Sequence, residues 1–174
     1  MNSFHILLIF AALIFSSIGI SGLMSPTLGS STMKRLQFIN ILKQQLGHEY
    51  KLGGEYPYFD CASLVQYAYS KIGITVARAV TEQSGNAPNQ INFNTYQKLE
   101  NILNLIKPGD QIGIDFNPGG RFDHVITYIG GSSFIQATGT GDCPCPNSRC
   151  KVVIDPVTHF TGRYVRSVYS YFIE

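Results

Sequence analysis

The stretch that decides the fold is YKLGGEYPYFDCASLVQYAYSKIGI, residues 50–74. Its first half is rich in Gly, Tyr and Pro, a composition typical of a loop. Asp60 is a good N-cap for a following helix that Gly73 would end. This prediction places Cys61 in the first helical turn, where the helix dipole and unpaired backbone N–H groups favour a thiolate. A lone Cys on an apolar helix face is, however, more often inert packing.

Another helix is predicted upstream. Thr32 is a fair N-cap, Gly47 is a good C′ residue, and apolar residues recur between them at helical spacing: Met33, Leu36, Ile39, Leu42 and Leu46. Residues 84–94 are polar and rich in Asn, which predicts a loop, and Tyr96–Ile106 is predicted as a third helix.

After residue 110 the apolar pattern changes to a period of two. This pattern predicts strands at Gln111–Phe116, His124–Ile129, Ser133–Thr138, Lys151–Ile154 and Tyr164–Ile173. Helices followed by strands indicate an α+β domain with a mostly antiparallel sheet.

Composition and charge exclude several classes of protein. The chain has 174 residues, of which 44% are hydrophobic and 14% charged, which argues against a disordered chain. The 13 Lys and Arg nearly balance the 11 Asp and Glu, and no basic cluster runs along any segment. No nucleic-acid partner is therefore expected.

The N-terminal segment has the character of a targeting sequence. Its apolar run, Ile6–Ile20, has the length of a signal-peptide core rather than of a bilayer span of about 20 residues. We predict a signal peptide or an N-terminal membrane anchor at residues 1–24, a linker at 25–32 and a domain at 33–174. Export to the periplasm, cell wall or medium is expected. The alternative is a membrane-anchored protein that contacts the membrane through this segment alone.

A nucleophilic Cys needs a base, and the base needs an orienting partner. His124 opens a predicted strand, and Gln136 lies within the apolar run of the next strand, where a buried amide requires hydrogen-bond partners. A three-residue hairpin loop at 129–131 would place His124 directly opposite Gln136, whereas a two-residue turn would put them on opposite faces. A Cys61–His124–Gln136 triad therefore requires the three-residue loop.

Four motifs follow one another in a specific order. They are the Tyr-x-x-Gly-Gly loop and Asp-Cys helix of residues 50–74, the Arg78 and Gln83 pair, KPGDQIGI at 107–114 and DHVITYIGGSSFIQA at 123–137. With these motifs the sequence resembles, from about Leu42 to Val168, the NlpC-type cell-wall peptidases, papain-like cysteine endopeptidases of bacteria and phages. The resemblance implies a papain-like α+β fold, with helices and a nucleophile at a helix N-terminus packed on a mostly antiparallel sheet.

The resemblance also implies a role for each matching residue. Cys61 would be the nucleophile, His124 the general base and later acid, and Gln136 the group that orients the imidazole. Tyr50 would help to hold the oxyanion. Asp60 would bind the amine end of the substrate, in addition to capping the helix.

Arg78 and Gln83 match the family motif and join the substrate-binding candidates, whereas Asp110 is expected to be a turn residue. Two positions depart from the family. Its Ser after the nucleophile is Ala62 here, and its Gly is Ser63. Because the family Ser is linked to the amine end of the substrate, these departures put fine specificity in question.

The implied activity is hydrolysis of amide bonds in peptidoglycan stem peptides, usually after D-glutamate, through an acyl-enzyme. No metal or organic cofactor is implied. The expected partner is the peptidoglycan peptide, and an unidentified targeting or inhibitor protein is left open. The alternatives are an amidase, acyltransferase or antibacterial toxin acting on another substrate, and a catalytically silent binding module.

Three cysteines crowd a Pro-rich loop that we do not associate with the family. In an exported protein we expect a disulfide from Cys150 to Cys143 or Cys145. Two alternatives stay open: a metal site with Asp142 or His159 as a fourth ligand, and reduced thiols in a cytoplasmic protein.

Overall fold

The computed structural model describes residues 29–116, 123–139 and 149–173. The helices are α1 (Ser30–Gln44), α2 (Cys61–Ser70), α3 (Val80–Asn86) and α4 (Leu99–Ile102), with a 3₁₀ helix at Val157–Phe160. The strands are β1 (Asn89–Lys98), β2 (Gln111–Asp115), β3 (His124–Gly130), β4 (Ser133–Thr138), β5 (Lys151–Pro156) and β6 (Tyr164–Ser170). The predicted signal peptide or anchor and the loop cysteines Cys143 and Cys145 lie outside the described residues.

The six strands form one sheet in the order β1-β6-β2-β3-β4-β5, and every neighbouring pair is antiparallel. The predicted α+β class with an antiparallel sheet is confirmed, and the five predicted strands exist with small shifts at their ends. Within the described ranges, no helix is both long and apolar enough to cross a membrane.

Side chains of the central strands alternate between two hydrophobic clusters, one on each face of the sheet. Val125 and Ile135 belong to the cluster that contains the buried residues of α1 and α2, including Phe38, Leu42, Leu64, Val65 and Tyr69. Their sequence neighbours Ile126 and Phe134 belong to the other cluster, with Leu99, Ile102, Ile112, Ile114 and Phe160. Because both faces of β3 and β4 are covered, the ends of these strands are held at fixed positions relative to α2.

The loop predicted at 84–94 and the helix predicted at Tyr96–Ile106 are wrong. The chain instead forms β1, which pairs with β6 at the edge of the sheet, and then the single helical turn α4. Most side chains of β1 are exposed. Residues 90–94 do alternate between polar and apolar, and Phe93 packs against the second cluster, but the Asn-rich composition of the segment favoured a loop.

Helix α1 differs from the prediction at its start and on its buried face. It begins at Ser30, inside the predicted linker, so Thr32 lies within the helix rather than at its N-cap. Met33, Leu36 and Leu46, three of the apolar residues at helical spacing, are 54%, 46% and 44% exposed. The buried face consists of Phe38, Ile39 and Leu42.

Candidate active site

Helix α2 begins with a capping box that fixes the position of Cys61. The Asp60 side chain accepts a hydrogen bond from the Ser63 backbone N–H at 2.8 Å, and the Ser63 hydroxyl accepts one from the Asp60 N–H at 2.9 Å. This reciprocal pair satisfies donors that a helix start leaves unpaired. The predicted N-cap is therefore confirmed, and Ser63, a departure from the family motif, completes the cap.

The second carboxylate oxygen of Asp60 is also occupied. It accepts a hydrogen bond from the Gly53 N–H at 2.9 Å and one from the Arg78 guanidinium. Burial raises the pKa of Asp60, but the hydrogen bonds and charge of Arg78, together with the bonds from Ser63 and Gly53, outweigh burial and lower it. Asp60 is thus a charged carboxylate whose two oxygens are both bound within the chain.

The thiol of Cys61 lies against the start of β3. Burial raises its pKa to about 11, and the negative charge of Asp60 acts in the same direction. Backbone hydrogen bonds from Val125 and Ala62 favour the thiolate but do not compensate. The hydrogen bond from Ala62 is the stabilisation expected from a helix start, but burial outweighs it. The raised pKa favours the thiol over the thiolate, and the thiol hydrogen-bonds the backbone of Val125, the residue that follows His124.

His124 is buried at the first position of β3. Its Nε2 lies 2.6 Å from Oε1 of Gln136, and the ring of Phe116 stacks on the imidazole with centroids 5.7 Å apart. Burial lowers the pKa of His124, although the bond to Gln136 and the charge of Asp60 act the other way. The imidazole is therefore neutral at pH 7, which is the form that accepts a proton.

The hairpin that brings His124 to Gln136 is not the predicted one. Tyr128 pairs with Phe134 rather than with Ser132, and the ladder is irregular between Tyr128 and Gly130. The turn residues are Gly131 and Ser132, with φ of 59° and 57°. Positive φ at both central positions is the geometry of a two-residue type I′ turn.

The register consequently differs by two residues from the expected one. A two-residue turn by itself would have placed His124 and Gln136 on opposite faces of the sheet. The irregularity before Gly130 shifts the register once more and returns both side chains to the same face. The prediction that His124 lies directly opposite Gln136 is wrong. The two residues are diagonal neighbours on one face, and their side chains still meet.

The hydrogen bonding continues beyond Gln136 to residues that the sequence analysis missed. The amide Nε2 of Gln136 donates to Oδ2 of Asp155 at 2.6 Å, and the Arg149 guanidinium donates to both oxygens of Asp155 at 2.8 Å. Asp155 is only 5% exposed and lies on β5. An acidic residue at the end of an apolar strand was the only sequence signal for it.

Tyr50 packs against the end of β4, the strand that carries Gln136. A Cβ added at Gly139 would lie 2.3 Å from Cδ1 of Tyr50, so only Gly allows this approach. The backbone N–H of Tyr50 donates to the carbonyl of Cys150 at 2.9 Å. Cys150 is disulfide-bonded. Its pairing with Cys143 or Cys145 stays a prediction, because both lie outside the described residues.

Gln83 is fully buried and engaged within the chain. Its amide donates to the carbonyls of Ala62 at 3.0 Å and Ala77 at 2.9 Å, and its Oε1 accepts from the Tyr169 hydroxyl at 3.2 Å. These contacts favour support of the first turn of α2 over direct contact with a substrate. Asp110 accepts from the Lys107 N–H and pairs with Arg35, as suits a turn residue.

Comparisons with known proteins agree with the fold and the motifs. Residues 47–160 match the model of the NlpC/P60 family, so the chain belongs to that family. It is 33% identical over 106 residues to murein DD-endopeptidase MepH of Escherichia coli, covering 59% of this chain and 36% of MepH. It is 32% identical over 108 residues to the probable endopeptidase YafL of the same organism, covering 60% of this chain and 39% of YafL. The matched region thus spans less than half of each relative.

Solved structures show the same fold. The peptidoglycan hydrolase RipB of Mycobacterium tuberculosis superposes with a TM-score of 0.63 at 23% identity, covering 83% of this chain and 67% of that one. NlpC2 of Trichomonas vaginalis superposes with a TM-score of 0.65 at 24% identity, covering 86% of this chain and 49% of that one. The chain therefore has the papain-like α+β fold of NlpC/P60 domains.

Proposed function

We propose that this protein is a cysteine peptidase that hydrolyses amide bonds in bacterial peptidoglycan stem peptides, with Cys61, His124 and Gln136 as its triad. The observation that carries the proposal is the 2.6 Å contact between His124 Nε2 and Gln136 Oε1, together with the hydrogen bond between the Cys61 thiol and the backbone of Val125, the residue after His124. The relatives named as murein or probable endopeptidases support this activity and substrate class.

The resting state is a neutral pair of thiol and imidazole. Because burial raises the pKa of Cys61 and lowers that of His124, a preformed thiolate–imidazolium pair is disfavoured. His124 therefore acts as a general base that removes the thiol proton as sulfur attacks the amide carbonyl. The same proton then goes to the leaving amine, and water hydrolyses the thioester with His124 again as base.

Gln136 holds the imidazole in the form this step needs. The amide oxygen accepts a hydrogen bond from Nε2–H of His124, which leaves Nδ1 as the basic nitrogen. A neutral amide orients the ring without adding a negative charge, in accord with the lowered pKa of His124. The stacked ring of Phe116 restricts rotation of the imidazole from another side.

The oxyanion that forms on the substrate needs hydrogen-bond donors. The backbone N–H of Cys61, at the first position of α2, is one of the groups that a helix leaves unpaired. We propose the hydroxyl of Tyr50 as the second donor, because Tyr50 matches the family tyrosine with this role and its ring packs against Gly139, just beyond the strand that carries Gln136.

Substrate recognition differs from the pattern that the family motif implies. Both oxygens of Asp60 are bound within the chain and its charge is offset by Arg78, while Ala62 is buried and has no hydroxyl. We therefore propose that the protein does not select a free amine at the start of the peptide. Arg78 and Gln83 then act through Asp60 and α2 rather than by touching substrate.

Export of the protein is part of the proposal. The disulfide at Cys150 is typical of proteins that fold in an oxidising compartment outside the cytoplasm. A peptidoglycan substrate also requires the enzyme to be outside the cytoplasm. Retention of residues 1–24 as a membrane anchor is the alternative to their removal, and N-terminal sequencing of the exported protein distinguishes the two.

Mass spectrometry of purified peptidoglycan fragments before and after digestion tests the proposal. We expect new products cut at an amide bond of the stem peptide, after D-glutamate, and no cleavage of glycan. Products cut only in the glycan, or an unchanged fragment pattern with active positive controls, would contradict it. Products in which the acyl group is joined to another amine through a new amide bond, instead of being released as a free carboxylate, would favour an acyltransferase.

A further inference from the structure

The oxygen and nitrogen of the Gln136 amide are similar in shape but opposite in hydrogen bonding. Its oxygen accepts hydrogen bonds and its nitrogen donates them, so a flipped amide would present N–H groups to His124. The flipped form would hydrogen-bond the other tautomer of the imidazole, in which Nδ1 carries the proton. That tautomer has no basic nitrogen available for the Cys61 thiol, so the proposed mechanism requires one amide orientation.

The group that determines this orientation lies on the next strand. Oδ2 of Asp155 is 2.6 Å from Nε2 of Gln136, and a carboxylate accepts hydrogen bonds but does not donate them. Asp155 is 5% exposed and is held by Arg149, whose guanidinium contacts both of its oxygens at 2.8 Å. An ion-paired carboxylate at this position forces the amide nitrogen of Gln136 toward itself and the oxygen toward His124.

We infer that Asp155, held by Arg149, is a positioning residue that sets the tautomer of His124 through Gln136. Only the expected change in kcat rests on the proposed function. The tautomer itself is a property of the free protein. The hydrogen bonds of the Asp155 side chain go to Gln136 and Arg149. Because Asp155 acts on His124 through Gln136, its effect is expected in kcat and not in KM.

The first test is Asp155→Asn, which conserves shape but offers Gln136 either a donor or an acceptor. Two-bond ¹⁵N–¹H correlation spectra of His124 report which ring nitrogen carries the proton. We expect the Nε2–H form in the wild type and a mixture of both tautomers in Asp155→Asn. We also expect kcat for stem-peptide hydrolysis to fall about tenfold or more, with KM changed by less than about twofold, because an incorrect tautomer disables the base.

The matched control is Asp110→Asn. Asp110 is likewise buried and paired with an arginine, Arg35, but has no contact with Gln136. This variant alters a more deeply buried ion pair, since the side chain of Arg35 is 11% exposed and that of Arg149 is 48% exposed. We expect it to leave both kcat and the His124 spectrum unchanged. A general loss of stability cannot therefore account for a change seen only in Asp155→Asn.

A polarity swap separates positioning from packing. Gln136→Glu alone places two carboxylates side by side and should be strongly impaired. Combined with Asp155→Asn, the introduced carboxylate receives a donor from the asparagine and still accepts from His124. The double variant should recover the Nε2–H tautomer and most of the activity lost in Gln136→Glu.

The inference would be overturned if Asp155→Asn kept the wild-type tautomer of His124 and the wild-type kcat. It would also be overturned if the double variant had no higher activity than Gln136→Glu. If the proposed peptidase function is wrong, the wild type shows no hydrolysis, while the spectra of His124 still decide the role of Asp155.

Discussion

Replacing Gly139 by Ala should displace Tyr50 and reduce catalysis. The added Cβ would lie 2.3 Å from Cδ1 and 2.5 Å from Cγ of the Tyr50 ring, whereas ordinary contact begins at 3.4 Å. The ring must therefore retreat by about 1.1 Å, the difference between 3.4 and 2.3 Å. Displacements of about 1 Å at a catalytic group cost roughly a hundredfold in rate, and overpacking costs about 1–3 kcal/mol of stability.

The assay compares kcat/KM for one stem peptide and the midpoint of thermal unfolding. Gly85→Ala is the matched control, since a Cβ there has no heavy atom within 4 Å and α3 favours Ala. It should leave activity unchanged and stability equal or slightly higher.

A second comparison isolates the Tyr50 hydroxyl. Tyr50→Phe keeps the ring and removes the proposed oxyanion donor, so it should lower kcat without the overpacking penalty. Adding Gly139→Ala to Tyr50→Phe should then cost less activity than in the wild type, because the displaced hydroxyl is already gone. Wild-type activity and stability in Gly139→Ala would refute the reasoning about Tyr50.

Three further predictions follow from the start of α2 and from His124. Asp60→Asn keeps a cap acceptor but turns an amide N–H group toward the donors of Gly53 and Arg78. Urea denaturation should show that the free energy of unfolding falls by about 2–3 kcal/mol. A fall of less than about 0.5 kcal/mol would contradict this reasoning. Because the pKa of His124 is lowered in the folded protein, stability should begin to fall as the pH drops below 6.5. Because the pKa of Asp60 is also lowered in the folded protein, a further loss of stability should begin below pH 3.8. A thermal midpoint that does not change between pH 7 and pH 5 would count against a buried neutral imidazole. Since Asp60 is occupied and Ala62 lacks a hydroxyl, kcat/KM should be similar for one peptide with its N-terminus free and acetylated, and a strong preference for the free amine would refute that account.

The helix that carries the nucleophile could be predicted because its signals are local. Asp60, Cys61 and Ser63 are close in sequence, and the capping box forms from neighbouring residues. The strands β2 to β4 were also predictable, since burial of their faces imposes a regular apolar pattern. By contrast, β1 has mostly exposed side chains and is held by backbone pairing with β6, and the short polar–apolar alternation at 90–94 is outweighed by the loop-like Asn content of the segment.

The triad residues could be proposed from the sequence, but their exact relation could not. A turn at Gly131 and Ser132 and an irregular ladder before it each shift the register, and the two shifts together keep His124 and Gln136 on one face. The contact between Gln136 and Asp155 joins residues that are 19 positions apart on different strands. The raised pKa of Cys61 arises from burial in the assembled domain, which the helix alone does not reveal.

The most direct test of the central claim is the rate of stem-peptide hydrolysis by wild type and Cys61→Ala, measured side by side at pH 7. Circular dichroism and the unfolding midpoint verify that the variant is folded. We expect it to fold because Cys61 lies at a helix start and is only partly buried. We predict product formation by the wild type and none above background by Cys61→Ala. Equal rates in the two folded proteins would contradict the assignment of Cys61 as the nucleophile and, with it, the proposed cysteine peptidase.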